Sequence, residues 1–181
     1  GSIHKDEWET LEYVEQEPFS SVDQTVGVFA YLKEREANVV AMRKMAVNLG
    51  FSSLDQIIDS NISIGKLSGG QKKMLALIIA FAENPDTLVL DEPENHLDIV
   101  SRKKLAKLLR EFKEKLIFVS HDQFIIDAVS NKIALLESQE LSMFGGKDYE
   151  EVKDEVQQKK VGALQDWKTE KREIDRLKRA L

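Results

Sequence analysis

Thr87-Leu88-Val89-Leu90-Asp91-Glu92-Pro93 begins as an unbroken apolar run and ends on two carboxylates and a proline. Such a run, short and without polar alternation, reads as a strand covered on both faces of a parallel sheet. Its acids then stand at the carboxyl edge, where open α/β sheets bind ligands. Leu116-Ile117-Phe118-Val119 repeats the pattern as a second buried strand and ends at Ser120-His121. Between the two, Asp98 is placed to cap a helix running to about Lys113, with Val100, Leu105, Leu108, Leu109 and Phe112 turned inward. Strand, helix and strand in alternation make the chain α/β.

Upstream, residues 3–14 read as one or two short strands, and a loop begins at Gln16, with Pro18 as the stop. From Thr25 to Leu49 the pattern turns helical, carried by Val28, Phe29, Leu32, Val39, Met42, Met45, Ala46 and Leu49, and Gly50 fits the C-cap. A short helix around Leu54 to Ile58 leads to Leu67-Ser68-Gly69-Gly70-Gln71. The helix that follows, Gln71 to Ala82, is apolar on most faces and therefore buried. Downstream, a helix spans Gln123 to Val129, and Lys132–Leu136 and Leu141–Phe144 read as closing strands, the second hairpinned on the first. From Tyr149 to Leu181 a charged stretch without proline predicts one long helix. Its interrupted apolar stripe is Val152, Val156, Ala163, Trp167, Ile174, Leu177 and Leu181. The expected divisions are residues 1–22, 23–83, 84–147 and 148–181.

Composition narrows the classes. The chain has 181 residues, a net charge of −6 and no cysteine. That size suits one domain plus a tail, and the missing thiols exclude disulfides and thiolate metal sites, which fits a reducing cytoplasm. No segment reaches the roughly 18 apolar residues of a membrane span, so direct membrane insertion is not expected. The acidic balance argues against a whole-surface attraction to nucleic acid. Lys168, Lys171, Arg172, Arg176, Lys178 and Arg179 are interleaved with acids, as on a solvated helix face with i,i+4 pairs.

The residues with chemistry cluster at the ends of these elements. Side chains alternate along a strand, so Asp91 and Glu92 point different ways: one can hold Mg²⁺ through water, the other can orient or deprotonate an attacking water. Alone, such a pair simply terminates many strands. Ser68, Gly69, Gly70 and Gln71 precede a helix whose N-terminus offers free N–H groups and a positive dipole end to an anion. His121, at the end of the second strand, comes to the same edge as the acids, where an imidazole can donate to a phosphate oxygen. Gln16 can bond metal-bound and attacking water from its loop. Nowhere does the chain contain G-x-x-x-x-G-K-[ST], the backbone cradle for nucleotide phosphates: Gly65-Lys66 is followed by Leu67, and Gly146-Lys147 by Asp148.

In order and spacing, Gln16, Leu67–Gln71, Leu88–Pro93, Asn95-His96-Leu97-Asp98 and Val119-Ser120-His121-Asp122 resemble the Q-loop, signature, Walker B, D-loop and switch histidine of ATP-binding-cassette (ABC) ATPases. Glu-Pro-x-Asn-His-Leu-Asp, Ser-His-Asp and Phe144-Gly145-Gly146-Lys147-Asp148-Tyr149 resemble the ABC-F subfamily, cytosolic two-cassette proteins that act on the ribosome. Glu94, where that subfamily usually has threonine, and Gln123, in place of its common arginine, depart from the pattern. The resemblance implies an incomplete P-loop NTPase-like domain with a helical subdomain and a C-terminal linker helix, cut just after its first βα unit. It implies ATP and Mg²⁺ as cofactors, with Glu92, His121 and Gln16 catalytic, Asp91 and Gln16 at the metal, and Ser68, Gly69, Gly70, Gln71 and Asp98 contacting nucleotide. Expected partners are a second cassette, the ribosome or its RNA, and a second copy of the chain, since a sheet stripped of a strand should dimerise or stand visibly incomplete. The rivals are the energising subunit of a membrane transporter and a non-catalytic interaction module.

Overall fold

The computed structural model describes residues 9–137, 140–146, 148–158 and 171. Residues 3–8 of the expected strand region, and all of the expected 149–181 helix beyond residue 158 except Lys171, lie outside these. The chain divides into two compact units, Gly1–Val129 and Ser130–Leu181.

In the first unit, strand β1 (Leu11–Val14) leads into a helical insertion: α1 (Val28–Glu34), α2 (Val39–Leu49), α3 (Leu54–Asp59), a 3-10 turn (Ile64–Lys66) and α4 (Gly69–Glu83). Then come β2 (Thr87–Asp91), α5 (Ile99–Glu111), β3 (Lys115–Val119) and α6 (Gln123–Val129). The three strands form a parallel sheet in the order β1-β2-β3, with Val14 beside Leu90 and Leu90 beside Phe118. Asp86 and Thr10 fasten the amino ends of β1 and β2: the Thr10 N–H and hydroxyl donate to Asp86 Oδ2 at 2.9 and 2.8 Å, and the Asp86 N–H donates to Thr10 Oγ1 at 3.0 Å.

The helical insertion is built around α4, which buries Met74, Leu75 and the whole run Leu77–Phe81. Leu32, Met42, Leu49, Ile64, Leu88, Leu90 and Leu105 join it in one continuous core. The helix expected from Thr25 to Leu49 is two helices. Glu36 takes a left-handed φ of 54°, and the Asn38 side chain accepts the Ala41 N–H at 3.0 Å, so the chain stops and restarts within four residues. Gly50, at φ 75°, ends α2 as its position predicts. Val100 is corrected from inward to outward, 62% exposed. The buried stripe of α5 is Leu105, Ala106 and Leu109, and a residue five positions before Leu105 sits about 140° away around the helix.

The sheet also departs from the reading of two fully covered strands. Leu88, Leu90, Leu116 and Phe118 face inward, whereas Ile117 and Val119 are 59% and 55% exposed. Parity carries Leu11 and Tyr13 of β1 onto the same outer face, and both are exposed. Helices flank only one side of these three strands among the described residues, so the apolar run of β3 marks a face built for cover that the unit does not provide.

In the second unit, β4 (Lys132–Glu137) and β5 (Glu140–Gly145) form the expected antiparallel hairpin, with Ile133 opposite Phe144. Residues 149–158 are helical. Asp148 opens this helix, its carboxylate accepting the Glu151 N–H at 2.9 Å while Glu151 accepts the Asp148 N–H at 3.2 Å.

Candidate functional site: an acidic strand edge

Parallel pairing puts the carboxyl ends of all three strands on one edge. Asp91 pairs with Val119, and the next residue, Glu92, donates its N–H to Val119 O at 2.9 Å. Glu92 then turns into the left-handed region at φ 44°, a conformation a non-glycine residue adopts only when its surroundings hold it there.

That turn delivers the Glu92 carboxylate into a ring of donors. Gln16, on the loop leaving β1, donates Nε2 to Glu92 Oε2 at 2.6 Å. Asn95 donates Nδ2 to the same oxygen. His121 Nε2 lies 3.4 Å from Glu92 Oε1. Oε2 is thus saturated, while Oε1 has one more lone-pair direction open for a water. The imidazole side chain is 83% exposed, facing outward from the edge, while the Glu92 side chain is only 17% exposed. Gln16, Glu92 and His121 therefore meet at one edge, where strand order in the sequence places His121 beside the acids.

Asp91 stands beside them on the outer face of the sheet. Its Oδ2 accepts the Tyr13 hydroxyl at 3.4 Å, and burial together with the Asp91 charge holds that phenol above its ordinary pKa. The donor set suits Mg²⁺, a hard cation that usually takes one or two carboxylates and keeps several waters. Asp91 could supply the carboxylate, and Gln16, its amide nitrogen engaged with Glu92, has Oε1 left to offer. Behind the edge lies Lys73 of α4, fully buried, donating Nζ to Glu15 O at 3.0 Å and Asp91 O at 3.1 Å. Burial lowers its pKa, and the charges of Asp91, Glu94 and Glu92 oppose that fall.

The glycine turn is a formed helix entry. Ser68 Oγ accepts the Gln71 N–H at 3.2 Å and Gln71 Oε1 accepts the Ser68 N–H at 2.9 Å, a reciprocal capping box that leaves the serine hydroxyl proton free to donate. A side chain on Gly70 would approach His96 O to 3.0 Å, and one on Gly69 would reach the His96 ring at 3.5 Å. The turn therefore rests against the loop that follows Pro93. Asp98 is engaged elsewhere: it caps α5 by accepting the Ser101 N–H at 2.8 Å, and that bond lowers its pKa.

Asn95 and Tyr13 were not among the sequence-derived site residues, and neither were Glu94 and Lys73. Glu94 is buried, and its Oε1 accepts both the Ser120 hydroxyl at 2.6 Å and the His121 N–H at 3.1 Å, so it fixes the main chain that carries the imidazole. Lys73 reads in sequence as one of a pair of ordinary lysines, and nothing local separates it from half-buried Lys72. Glu94 carried a sign, its departure from the threonine of similar sequences. Neither a hollow of 150 Å³ beside Tyr13, Phe19, Tyr31 and Arg35 nor one of 340 Å³ beside Val47, Phe51 and Asp55 includes Asp91, Glu92 or His121. The acidic site is an open edge.

A parallel sheet whose carboxyl edge gathers an acid pair, a glutamine and a histidine, with a capped glycine turn at the head of the adjoining helix, is the architecture of ABC-type ATPase domains, which share the P-loop NTPase fold. The solved structure described as an inward-facing conformation of a putative metal-chelate type ABC transporter has this fold, with a TM-score of 0.56 and 22% identity over 76% of this chain and 59% of that one. The chain belongs to the AAA-type ATPase family described as "AAA domain, putative AbiEii toxin, Type IV TA system", which matches residues 6–127. Among curated relatives, the ATP-binding protein Uup of Buchnera aphidicola (strain APS) is 34% identical over 148 residues, 78% of this chain and 24% of its own length. The ribosome protection protein VmlR of Bacillus subtilis is 42% identical over 81 residues, 45% of this chain and 15% of its own. Both are ABC-F-type ATP-binding proteins, and this chain spans only a minor part of their length. No helix among the described residues is long and apolar enough to cross a membrane.

Proposed function

We propose that this chain supplies the hydrolytic half of a Mg·ATP site, with the phosphate cradle contributed from outside these 181 residues. The observation that carries the reading is the convergence of Gln16 and His121 on the Glu92 carboxylate. Glu92 acts as general base through the open direction at Oε1, taking a proton from the water that attacks the γ-phosphorus as its bond to the β–γ bridging oxygen breaks and ADP leaves. Gln16 and Asn95 hold that carboxylate on its other oxygen, which keeps it aimed. His121, exposed at the rim, donates to a γ-phosphate oxygen and stabilises charge there. Asp91 and Gln16 would hold Mg²⁺, which when bound would neutralise phosphate charge. In phosphoryl transfer, positioning and electrostatics of this kind provide most of the catalysis.

Gly69 and Gly70 carry the N–H groups that the Ser68–Gln71 capping box leaves over, Ser68 adds its hydroxyl, and Asp98 belongs to the loop beside them. On this reading these residues close on nucleotide held by a second cassette, joined in the same polypeptide or by association, and residues 148–181 form a linker. Likeness to VmlR supports a place on the ribosome, in translation or in antibiotic resistance, in the cytoplasm. Co-sedimentation with 70S ribosomes, retained with a non-hydrolysable ATP analogue, is the expected behaviour; co-purification with a membrane complex instead would favour a transporter role.

The catalytic assignment is tested by placing a phosphate-loop βα unit ahead of residue 9 and measuring ATP turnover. Glu92→Gln should lower it by about 10²–10⁴-fold with ATP binding retained. Unchanged turnover would refute the assignment and favour a non-catalytic module. The 181 residues alone should show no micromolar affinity for MgATP by calorimetry.

A further inference from the structure

We infer that Lys73 is a positioning residue for the Gln16–Glu92 pair, its buried ammonium clamping the main-chain carbonyl that directly precedes each of the two. The proposal builds on the hydrolytic reading of this edge but stands on separate geometry. The β1–β2 ladder ends at Val14 beside Leu90. One residue further on, Glu15 O and Asp91 O have left the ladder, and Lys73 Nζ bonds both, at 3.0 and 3.1 Å. The next residues in the chain are Gln16 and Glu92, whose side chains meet at 2.6 Å. A single side chain from the helix headed by the glycine turn thus extends the pairing of two strands beyond its backbone limit, to where the catalytic side chains leave them.

The choice of residue argues for a positional role. Lysine is almost never fully buried unless paired, yet Lys73 of α4 is completely buried. For packing alone, methionine would fill the space without desolvating a charge. The ammonium is instead retained beneath Asp91, Glu92 and Glu94, whose charges favour it. It has three donors, and the two carbonyls take two of them. A rigid base held by such support is what the chemistry requires, since a displacement of about 1 Å at a reacting group costs on the order of 100-fold in rate.

The test uses the 181-residue chain and nuclear magnetic resonance. In the wild type, the Lys73 ammonium should give a slowly exchanging Nζ–H signal with contacts to the Gln16 and Glu92 amide protons. Absence of that signal, under conditions where the Gln16 and Glu92 amides are visible, would overturn the clamp, and this arm needs no variant to fold. In Lys73→Met, the Gln16 side-chain amide should shift out of its Glu92-bonded position, and the Glu92 backbone amide should exchange at least about tenfold faster. Lys73→Arg should restore part of both. Leu75→Ala, a core truncation on the same helix, should weaken the fold while leaving the Gln16 and Glu92 signals where they are. A folded Lys73→Met with unchanged Gln16 and Glu92 signals would contradict the inference. If Glu92→Gln left turnover of the phosphate-loop fusion intact, the hydrolytic reading would fall while these signals still decided the clamp.

Discussion

Single side chains of this molecule carry more than one duty. Ser68 closes the capping box of α4 and also presents a hydroxyl proton outward. Replacing it with alanine should cost about 1 kcal/mol in urea unfolding, the usual worth of such a cap, and should lose the donor at the same time. Asp86 illustrates an electrostatic duty. Hydrogen bonds from the Thr10 N–H and hydroxyl hold its carboxyl below the usual aspartate range. A depressed folded-state pKa stabilises the fold above the unfolded value of 3.8, and that contribution is lost as the pH falls through the lower folded one. Asp86→Asn should therefore flatten the acid limb of a stability–pH curve below about pH 4 and leave its neutral limb shallow. An unchanged acid limb would mean that the Thr10 clasp does not contribute.

Between elements, long-range polar ties join the helical insertion to the sheet. Arg35, just past the end of α1, bonds Glu83 of α4 at 2.9 Å and Glu12 of β1 at 2.7 Å. Removing the guanidinium would leave two carboxylates near one another without a counter-charge. With Arg35 about a third exposed, Arg35→Ala should cost roughly 1–2 kcal/mol in chemical unfolding, less than a fully buried pair would. The elements themselves were largely legible in the sequence, because α2, α4, α5, β2 and the β4–β5 hairpin follow apolar periodicity and local caps. The break at Glu36–Asn38 was not, since Val28, Leu32, Val39 and Met42 fit one helix as well as two, and only the Asn38 cap separates them. At the site, the meeting of Glu92 and His121 was legible because parallel strands end on one edge, whereas Gln16 was legible only through the family resemblance. Lys73 and Glu94 were not, because their partners are main-chain atoms and a hydroxyl far away in sequence.

At the scale of the whole molecule, the exposed outer face of the sheet dominates. Leu11 and Tyr13 of β1 and Ile117 and Val119 of β3 make an apolar surface on the two edge strands, on either side of β2. Surfaces of this kind drive association. Light scattering should report a species larger than one chain at tens of micromolar, and Ile117→Lys should shift it toward monomer with little change in unfolding midpoint; a wild-type monomer at those concentrations would show that the face is stable uncovered. The same face reaches the strand edge at Asp91, so whatever covers it lies next to the proposed nucleotide site.

The most direct measurement is a crystal structure of the phosphate-loop fusion with Mg²⁺ and a non-hydrolysable ATP analogue. Glu92 Oε1 should lie within about 3 Å of a water aligned with the γ-phosphate, His121 within hydrogen-bond reach of a γ-oxygen, and Asp91 and Gln16 beside the metal. A nucleotide bound with its γ-phosphate away from the Glu92–His121 edge would contradict the assignment at its root.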